Sequence, residues 1–171
     1  MVEIERDMKE VGEGLANGRA VVRLDIEQQK PAAAGAGDFA AEGAGPAFLI
    51  AEPGRVPHAL GDFLFILDPA APDWLEHFTA DLSAASAALG FDGYHLDQYG
   101  YPKRAMRADG VMVDVARSFV TMIDAVRDAL PDAHLVFNNV NDFPTRRSAS
   151  SPQDAVYIEP WAPQLTLQAL A

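Results

Sequence analysis

The 171-residue sequence has no cysteine and few basic residues, and both features exclude or disfavour certain classes of function. Without cysteine, the chain has no disulfide, no thiolate zinc site and no cysteine nucleophile. Thirteen Lys and Arg stand against 25 Asp and Glu, for a net charge of −12. This charge repels polyanions, so it disfavours a nucleic-acid partner and phosphorylated substrates. A neutral substrate is the simplest match.

Long hydrophobic runs are absent as well. The apolar stretches are much shorter than a membrane-spanning helix, so no membrane partner is expected. Residues 1–13 are rich in charge and lack the apolar core of a secretory signal, so none is expected there. An apolar fraction of 49% with ordinary charge content is typical of a globular domain.

The first 60 residues carry the weakest pattern. Residues 3–16 have helical spacing of apolar side chains, and Ala20–Leu24 is predicted to be a short strand. An Ala- and Gly-rich tract at 31–46 is typical of a flexible loop or linker, and another short strand is expected at 47–51. The chain is therefore divided into a poorly assignable part, 1–60, and a catalytic region, 61–171.

Strands and helices alternate after residue 60. Phe63–Leu67 is a continuous apolar run, typical of a strand buried on both faces of a parallel sheet. Helices are predicted at 73–89 and 111–130, with Asp73 as the first N-cap and Gly90 at the first C-terminus. Further strands are predicted at Asp92–Asp97, His134–Asn139 and Ala155–Glu159. This order implies βαβ crossovers and a parallel sheet.

Connection lengths indicate which end of the sheet carries function. The links that enter the strands are two or three residues long, whereas those that leave them, 98–110 and 140–154, are long. Only a short helix is expected in 140–154. Long loops at the carboxyl ends of strands are where barrel enzymes build their sites. The predicted fold class is α/β, a partial TIM (β/α) barrel that stops before the last strands, because a complete barrel needs on the order of 200 residues.

Strand alternation places a carboxylate at the carboxyl end of the strand that ends at Asp97. Tyr94 and Leu96 suit the outward side covered by helices, which turns His95 and Asp97 toward the barrel interior. A lone Asp after a strand is commonly a turn or cap residue, so this position alone does not establish catalysis.

The strand that ends at Glu159 repeats the arrangement. Val156 and Ile158 suit the outward side, which turns Tyr157 and Glu159 inward. One strand, 134–139, is expected between the two, so the two carboxylates would converge to about 5–6 Å over the barrel mouth. A separation near 5 Å is typical of retaining glycosidases, whereas a wider one admits the water of an inverting enzyme.

The motifs around these residues resemble glycoside hydrolase family 66, which contains dextranases and cycloisomaltooligosaccharide glucanotransferases. The resemblance runs through Leu-Asp-Pro at 67–69, FDGYHLDQYG at 91–100, FNNVN at 137–141 and YIEPW at 157–161. It implies a retaining hydrolase of α-1,6-glucan with Asp97 as nucleophile and Glu159 as acid/base. It also implies an extracellular enzyme that needs no cofactor.

Other side chains near the strand ends have two readings each. His95 either hydrogen-bonds a sugar hydroxyl or is a core histidine whose ring nitrogens are hydrogen-bonded within the protein. Asn138 either orients substrate or caps its strand. Tyr99 and Trp161 either stack on glucose rings or pack against the protein. The predicted substrate-binding set is His95, Gln98, Tyr99, Asn138, Tyr157 and Trp161. No spacing of Asp, Glu and His indicates a metal site.

Two other functions remain open from the residues alone. A barrel that lacks its last strands exposes unpaired edges, which favours a noncatalytic remnant that binds glucan or a partner chain. The other alternative is a barrel hydrolase of a different glycosidase family that has the same Asp-Gln pair at a strand end. The oligomeric state is not encoded in any pattern found.

Overall fold

The computed structural model describes residues 21–25, 27–29, 49–50, 58–60, 64–98, 100, 102–107 and 109–162. The helix predicted at 3–16, the tract at 31–46 and Tyr99 lie outside the described residues. The described strands are β1 (Val21–Asp25), β2 (Glu27–Gln29), β3 (Leu49–Ile50), β4 (Ala59–Leu60), β5 (Leu64–Ile66), β6 (Gly93–Asp97), β7 (Arg104–Arg107), β8 (Met112–Asp114), β9 (His134–Asn138) and β10 (Ala155–Tyr157). The described α-helices are α1 (Pro72–Leu89), α2 (Val115–Ala129) and α3 (Thr145–Ser148).

A parallel sheet with the order β1-β6-β9-β10 positions the site. The predicted α/β class with a parallel sheet is confirmed, and β9 lies between β6 and β10 as expected. β1 pairs with β6 in register from Val21 and Gly93 to Asp25 and Asp97. A division of the chain at residue 60 stays a prediction, and this pairing crosses it.

The prediction that the apolar run at 63–67 forms a strand of the parallel sheet is wrong. β5 lies in a separate antiparallel sheet with the order β2-β5-β4, outside the parallel sheet. Ile66 and Leu67 are buried, as an apolar run predicts. The run indicates burial on both sides but carries no information on the direction of the neighbouring strands, and β2 and β4 are too short to show a pattern of their own.

The first helix begins earlier than predicted. α1 begins at Pro72, with Ala71 in extended conformation as its N-cap, so Asp73 lies in the first turn and is not the cap. Pro is favoured at this position because its missing N–H needs no partner there, and Asp73 still interacts favourably with the helix dipole. Gly90 ends the helix in the left-handed conformation, as predicted.

The second helix begins later than predicted. Residues 112–114 form β8, which pairs with β7 in a hairpin inside the long loop after β6. The helix begins at Val115 because the Asp114 side chain accepts a hydrogen bond from the Arg117 N–H. The helix at 111–130 was predicted from apolar side chains with helical spacing, which include Met112, Val115 and Phe119. Val115 and Phe119 are buried in α2, whereas Met112 lies in β8 and is 62% exposed.

The core lies between the parallel sheet and the two long helices. Tyr94 and Leu96 of β6 are fully buried there, which confirms the predicted outward faces. The Tyr94 hydroxyl donates to the Leu82 carbonyl in α1 at 2.7 Å, so this strand is fixed against the helix. Burial raises the pKa of the Tyr94 phenol. No helix in the described part of the chain is long and apolar enough to cross a membrane.

The amino ends of β9 and β10 are held by one side chain. Arg127, near the end of α2, donates to the carbonyls of Pro131, Ala133 and Pro152 and to the Asp154 carboxylate. The backbone N–H of Leu135 donates to the same carboxylate and lowers the pKa of Asp154. These bonds place stabilising contacts at the end of the sheet opposite the site.

Gly93 is required by the spacing between β6 and β9. A Cβ at this position would lie 2.2 Å from the His134 carbonyl oxygen, which is backbone and has no rotamer to change. We expect Gly93→Ala to lower the free energy of unfolding by about 3 kcal/mol, measured by urea denaturation. Gly90→Ala is the matched control, since its Cβ meets nothing within 4 Å and only the left-handed φ opposes it. It should cost about 1 kcal/mol, and equal losses would contradict the steric explanation.

Candidate active site

Asp97 lies at the carboxyl end of β6 on the face turned away from the helices. The side chain is 3% exposed, and its Oδ1 accepts hydrogen bonds from the Gln98 N–H at 2.9 Å and from Asn138 Nδ2 at 2.6 Å. Hydrogen bonds from N–H donors stabilise the ionised form of a carboxylate. The two bonds fix the orientation of the Asp97 carboxyl group at the end of the strand.

Asn138 connects the two predicted catalytic carboxylates. Its single Nδ2 atom donates to Asp97 Oδ1 at 2.6 Å and to Glu159 Oε2 at 2.7 Å. Two oxygens bonded to one nitrogen at these distances lie at most about 5.3 Å apart, and roughly 4.6 Å apart at the usual angle between two N–H bonds. The two carboxylates that the sequence predicted to converge are therefore neighbours across the end of β9.

Glu159 lies just beyond β10, which ends at Tyr157, two residues earlier than predicted. Its backbone is nevertheless fixed, because the Asn141 N–H donates to the Glu159 carbonyl at 3.0 Å. The Asn141 side chain also accepts from the Trp161 N–H at 2.6 Å. Asn141 has a φ of 51°, a left-handed conformation that Asn tolerates better than most residues. One residue of the β9–α3 loop thus holds both sides of Glu159.

His95 and Tyr157 contact each other on the same face of the sheet as the carboxylates. Their rings meet edge to face with centroids 5.0 Å apart. The inward direction predicted for both residues fits this contact. Tyr157 is 44% exposed, so its ring offers a surface to a ligand, whereas His95 is half-buried behind it. Their substrate-binding roles stay predictions.

Gln98 is buried, and its contacts favour a structural role over the predicted contact with substrate. Its amide group donates to the carbonyls of Asn138 and Phe143, and its Oε1 accepts from the Gly100 N–H. Both hydrogens of the amide are therefore bound to backbone. Gln98 thus links the loop after β6 to the end of β9 and to the loop that follows it.

Trp161 follows Glu159 closely and is 39% exposed. Its backbone N–H is bound to Asn141, which orients the chain, but the exposed indole is available for stacking. An exposed aromatic ring two residues after Glu159 suits a sugar ligand, because aromatic side chains line most small-molecule sites. Its predicted role therefore stays open, and Tyr99 lies outside the described residues.

Sequence reasoning missed the residues that hold the site together. Asn139 donates to the carbonyls of Phe137 and Tyr157 and accepts from the Ser148 hydroxyl, so it joins β9, β10 and α3. Asn141 holds the backbone on both sides of Glu159. The only signal in the sequence was the density of Asn in FNNVN, which indicates many local hydrogen bonds but not their partners.

A concave region elsewhere on the protein is lined by none of the predicted site residues. This cavity, of about 310 Å³, is formed by side chains that include Asp68, Arg107 and Asp114. Arg107 pairs with Asp68 at 3.5 Å, and Asp114 pairs with Arg147 at 3.1 Å, so these charges are matched within the protein. Among the described residues, no three His, Asp or Glu side chains are grouped as metal ligands.

Comparisons with known proteins agree with the resemblance in the motifs. The family model for glycosyl hydrolase family 66 matches residues 52–171. A dextranase of Streptococcus salivarius is 29% identical over 101 residues, which cover 55% of this chain and 12% of that protein. A cycloisomaltooligosaccharide glucanotransferase of Niallia circulans is 28% identical over 68 residues, which cover 40% of this chain and 7% of that protein. The chain thus spans only a small part of the curated relatives it matches.

A solved structure shows the same fold. The structure of a cycloisomaltooligosaccharide glucanotransferase from Paenibacillus sp., complexed with cycloisomaltoheptaose, superposes with a TM-score of 0.70 at 20% identity. The superposition covers 85% of this chain and 22% of the other. The family model covers more than half of the chain and includes both carboxylates and the Asn between them. The reading as a different glycosidase family is thereby set aside, and the chain belongs to glycosyl hydrolase family 66.

Proposed function

We propose that this chain supplies the catalytic carboxylates of a retaining glycoside hydrolase that cleaves dextran, an α-1,6-linked glucan. The observation that carries the proposal is the single Asn138 nitrogen bonded to both Asp97 and Glu159. The two oxygens bonded to that nitrogen lie within about 5.3 Å of each other, which fits the roughly 5–5.5 Å between the carboxyl groups of retaining enzymes better than the roughly 6.5–9.5 Å that admits the water of an inverting enzyme. The substrate class rests on the names of the relatives, a dextranase and a cycloisomaltooligosaccharide glucanotransferase.

The two carboxyl groups have different roles in this mechanism. An Asp97 oxygen forms a bond to the anomeric carbon while the bond from that carbon to the glycosidic oxygen breaks, and Glu159 gives its proton to the departing oxygen. In the second step Glu159 takes a proton from water, the water oxygen bonds to the anomeric carbon, and the ester to Asp97 breaks. Two inversions at one carbon give net retention.

The fold part of the proposal is that the parallel sheet is a segment of a (β/α) barrel. β1, β6, β9 and β10 would be four neighbouring strands, with the nucleophile after one strand and the acid/base after the second strand beyond it. Long loops at the carboxyl ends and stabilising contacts such as those of Arg127 at the amino ends fit the division of labour in such barrels.

Digestion of dextran tests the function. The protein is incubated with dextran, with starch and with polygalactosaminide, and new reducing ends are measured. Proton NMR of the first product then gives its anomeric configuration. Cleavage of dextran at least about 100-fold faster than the other two polymers, with the α-anomer formed first, is the expected result. Cleavage of starch or polygalactosaminide without cleavage of dextran would reject the substrate, and a β-anomer would reject the retaining mechanism.

A further inference from the structure

We propose that Asn138 is the positioning residue of the catalytic pair. Its NH₂ group fixes the separation of the two carboxylates and leaves Oε1 of Glu159 as the atom that carries the catalytic proton. This rests on the proposed function and replaces the earlier interpretation of Asn138 as a substrate ligand. The starting observation is that one nitrogen donates to Asp97 Oδ1 at 2.6 Å and to Glu159 Oε2 at 2.7 Å.

The burial of Asn138 makes it a fixed reference point. The residue is fully buried at the end of β9, and its backbone carbonyl accepts a hydrogen bond from Gln98 Nε2 at 3.1 Å. The next residue, Asn139, ties the same strand end to Tyr157 by its own N–H at 2.8 Å. Asn138 is therefore fixed in place, and the positions of the two carboxylates are set by their hydrogen bonds to it.

A comparison with Asn139 indicates that Asn138 is oriented for the carboxylates and not for stability. Both residues are fully buried amides at the end of one strand. Asn139 has partners for both its nitrogen and its oxygen, whereas Asn138 Oδ1 is buried with no hydrogen-bond partner in the described part of the chain. A buried acceptor without a partner is unfavourable and calls for a reason. The reason here is that turning the amide would aim its oxygen at two carboxylates.

Donation by Asn138 also decides where the proton of Glu159 resides. The Nδ2 group has two hydrogens to give and no lone pair to offer, so Glu159 Oε2 can only accept at this contact. A protonated Glu159 must then carry its hydrogen on Oε1, the oxygen turned away from Asn138. When Glu159 has given up the proton, the same bond persists, so the side chain keeps its place between the two chemical steps.

The test compares Asn138→Ala with the nearly isosteric Asn138→Asp. Loss of the bridge in Asn138→Ala should lower kcat on dextran by about 100-fold and change KM less than about threefold, because positioning is lost while the binding surface is kept. Asn138→Asp keeps the shape but replaces the donors by a third carboxylate, so it should be slower still than Asn138→Ala. If Asn138 only fills space, the order is reversed and the inference fails.

A ratio of two rates tests which oxygen of Glu159 carries the catalytic proton. An Asp at position 138 would share a proton with Glu159 Oε2 and withhold it from the leaving oxygen. The ratio of the rate on a 4-nitrophenyl α-isomaltoside, which needs little protonation, to the rate on dextran should therefore rise further in Asn138→Asp than in Asn138→Ala. An unchanged ratio in both variants would overturn the assignment of Oε1. Arg127→Ala is the control, because it removes contacts of β9 and β10 at the end of the sheet opposite the site, and it should lower the thermal midpoint without changing this ratio.

A structural measurement separates this inference from the proposed function. In a crystal structure of Asn138→Ala, the separation of Asp97 Oδ1 and Glu159 Oε2 should exceed the bound of about 5.3 Å set by the bridge in the wild type, because the two oxygens lose the donor that they share. An unchanged separation refutes the positioning role whether or not dextran is cleaved. A wild-type protein that leaves dextran intact refutes the proposed function alone. Should Asn138→Ala not fold, Asn138→Leu, which is nearly isosteric and has no donor, carries both measurements.

Discussion

Replacing Asp97 by Asn is expected to lower kcat by on the order of 10⁴-fold or more, on dextran and on aryl glycosides alike. An amide cannot serve as the nucleophile, and a better leaving group does not compensate for a missing nucleophile. The structure predicts that this variant folds normally. Asp97 Oδ1 accepts from Gln98 N and Asn138 Nδ2, and the carbonyl oxygen of an Asn at this position can accept the same two bonds.

The control for this substitution lies on the same strand. Asp92 is exposed just before β6, at the end opposite the site, and its backbone carbonyl accepts a hydrogen bond from the His134 N–H. Asp92→Asn should keep the wild-type kcat. Initial rates of reducing-end release give both values, and circular dichroism checks that both proteins are folded. An Asp97→Asn protein with more than about 1% of wild-type turnover would remove Asp97 from the nucleophile role.

The faces of the strands could be read from the sequence because a strand has a period of two. Tyr94 and Leu96 are apolar and alternate with His95 and Asp97, so burial of the first pair against helices fixes the direction of the second. The Tyr94 hydroxyl, which reaches the Leu82 carbonyl of α1, demonstrates that packing. Two nearby carboxylates at carboxyl ends followed from this rule and from the number of intervening strands.

Strand partners and helix starts could not be read in the same way. The apolar run around β5 was assigned to the parallel sheet, but its partners are antiparallel strands of two and three residues. Met112 continues the helical spacing of Val115 and Phe119 yet lies in β8, because local capping by Asp114 outweighs periodicity. Periodicity reports the burial of side chains, whereas pairing depends on residues far apart in the chain.

Asn138 shows a third limit. Its position at the end of β9 was predictable, and so was its placement between the two carboxylates. Its function depends on where two hydrogens of one amide point, and this is decided by Glu159, which lies beyond the last paired residue of β10. Sequence patterns locate such a side chain on a face, but only the structure gives its partners.

Replacing Glu159 by Gln is expected to lower the rate of cleavage by an amount that depends on the leaving group of the substrate. On dextran the rate should fall by about 10²–10⁴-fold, because the departing sugar oxygen needs a proton. The first step on a 4-nitrophenyl α-isomaltoside should be nearly unaffected, since nitrophenolate leaves without one. A burst of nitrophenol should then be followed by slow turnover, because no base activates the water. Gln preserves the fold, as its carbonyl oxygen can still accept from Asn138 Nδ2.

Azide distinguishes the acid/base role from a loss of structure. An azide anion attacks the anomeric carbon of the glycosyl ester at Asp97 without a general base, so it should restore turnover of the Glu159→Gln protein and release an α-glycosyl azide. The wild type and an exposed control on α1, Glu76→Gln, should form no such product. NMR of the azide gives its configuration directly. Undiminished cleavage of dextran by Glu159→Gln, or a β-glycosyl azide, would show that Glu159 is not the acid/base of a double-displacement enzyme.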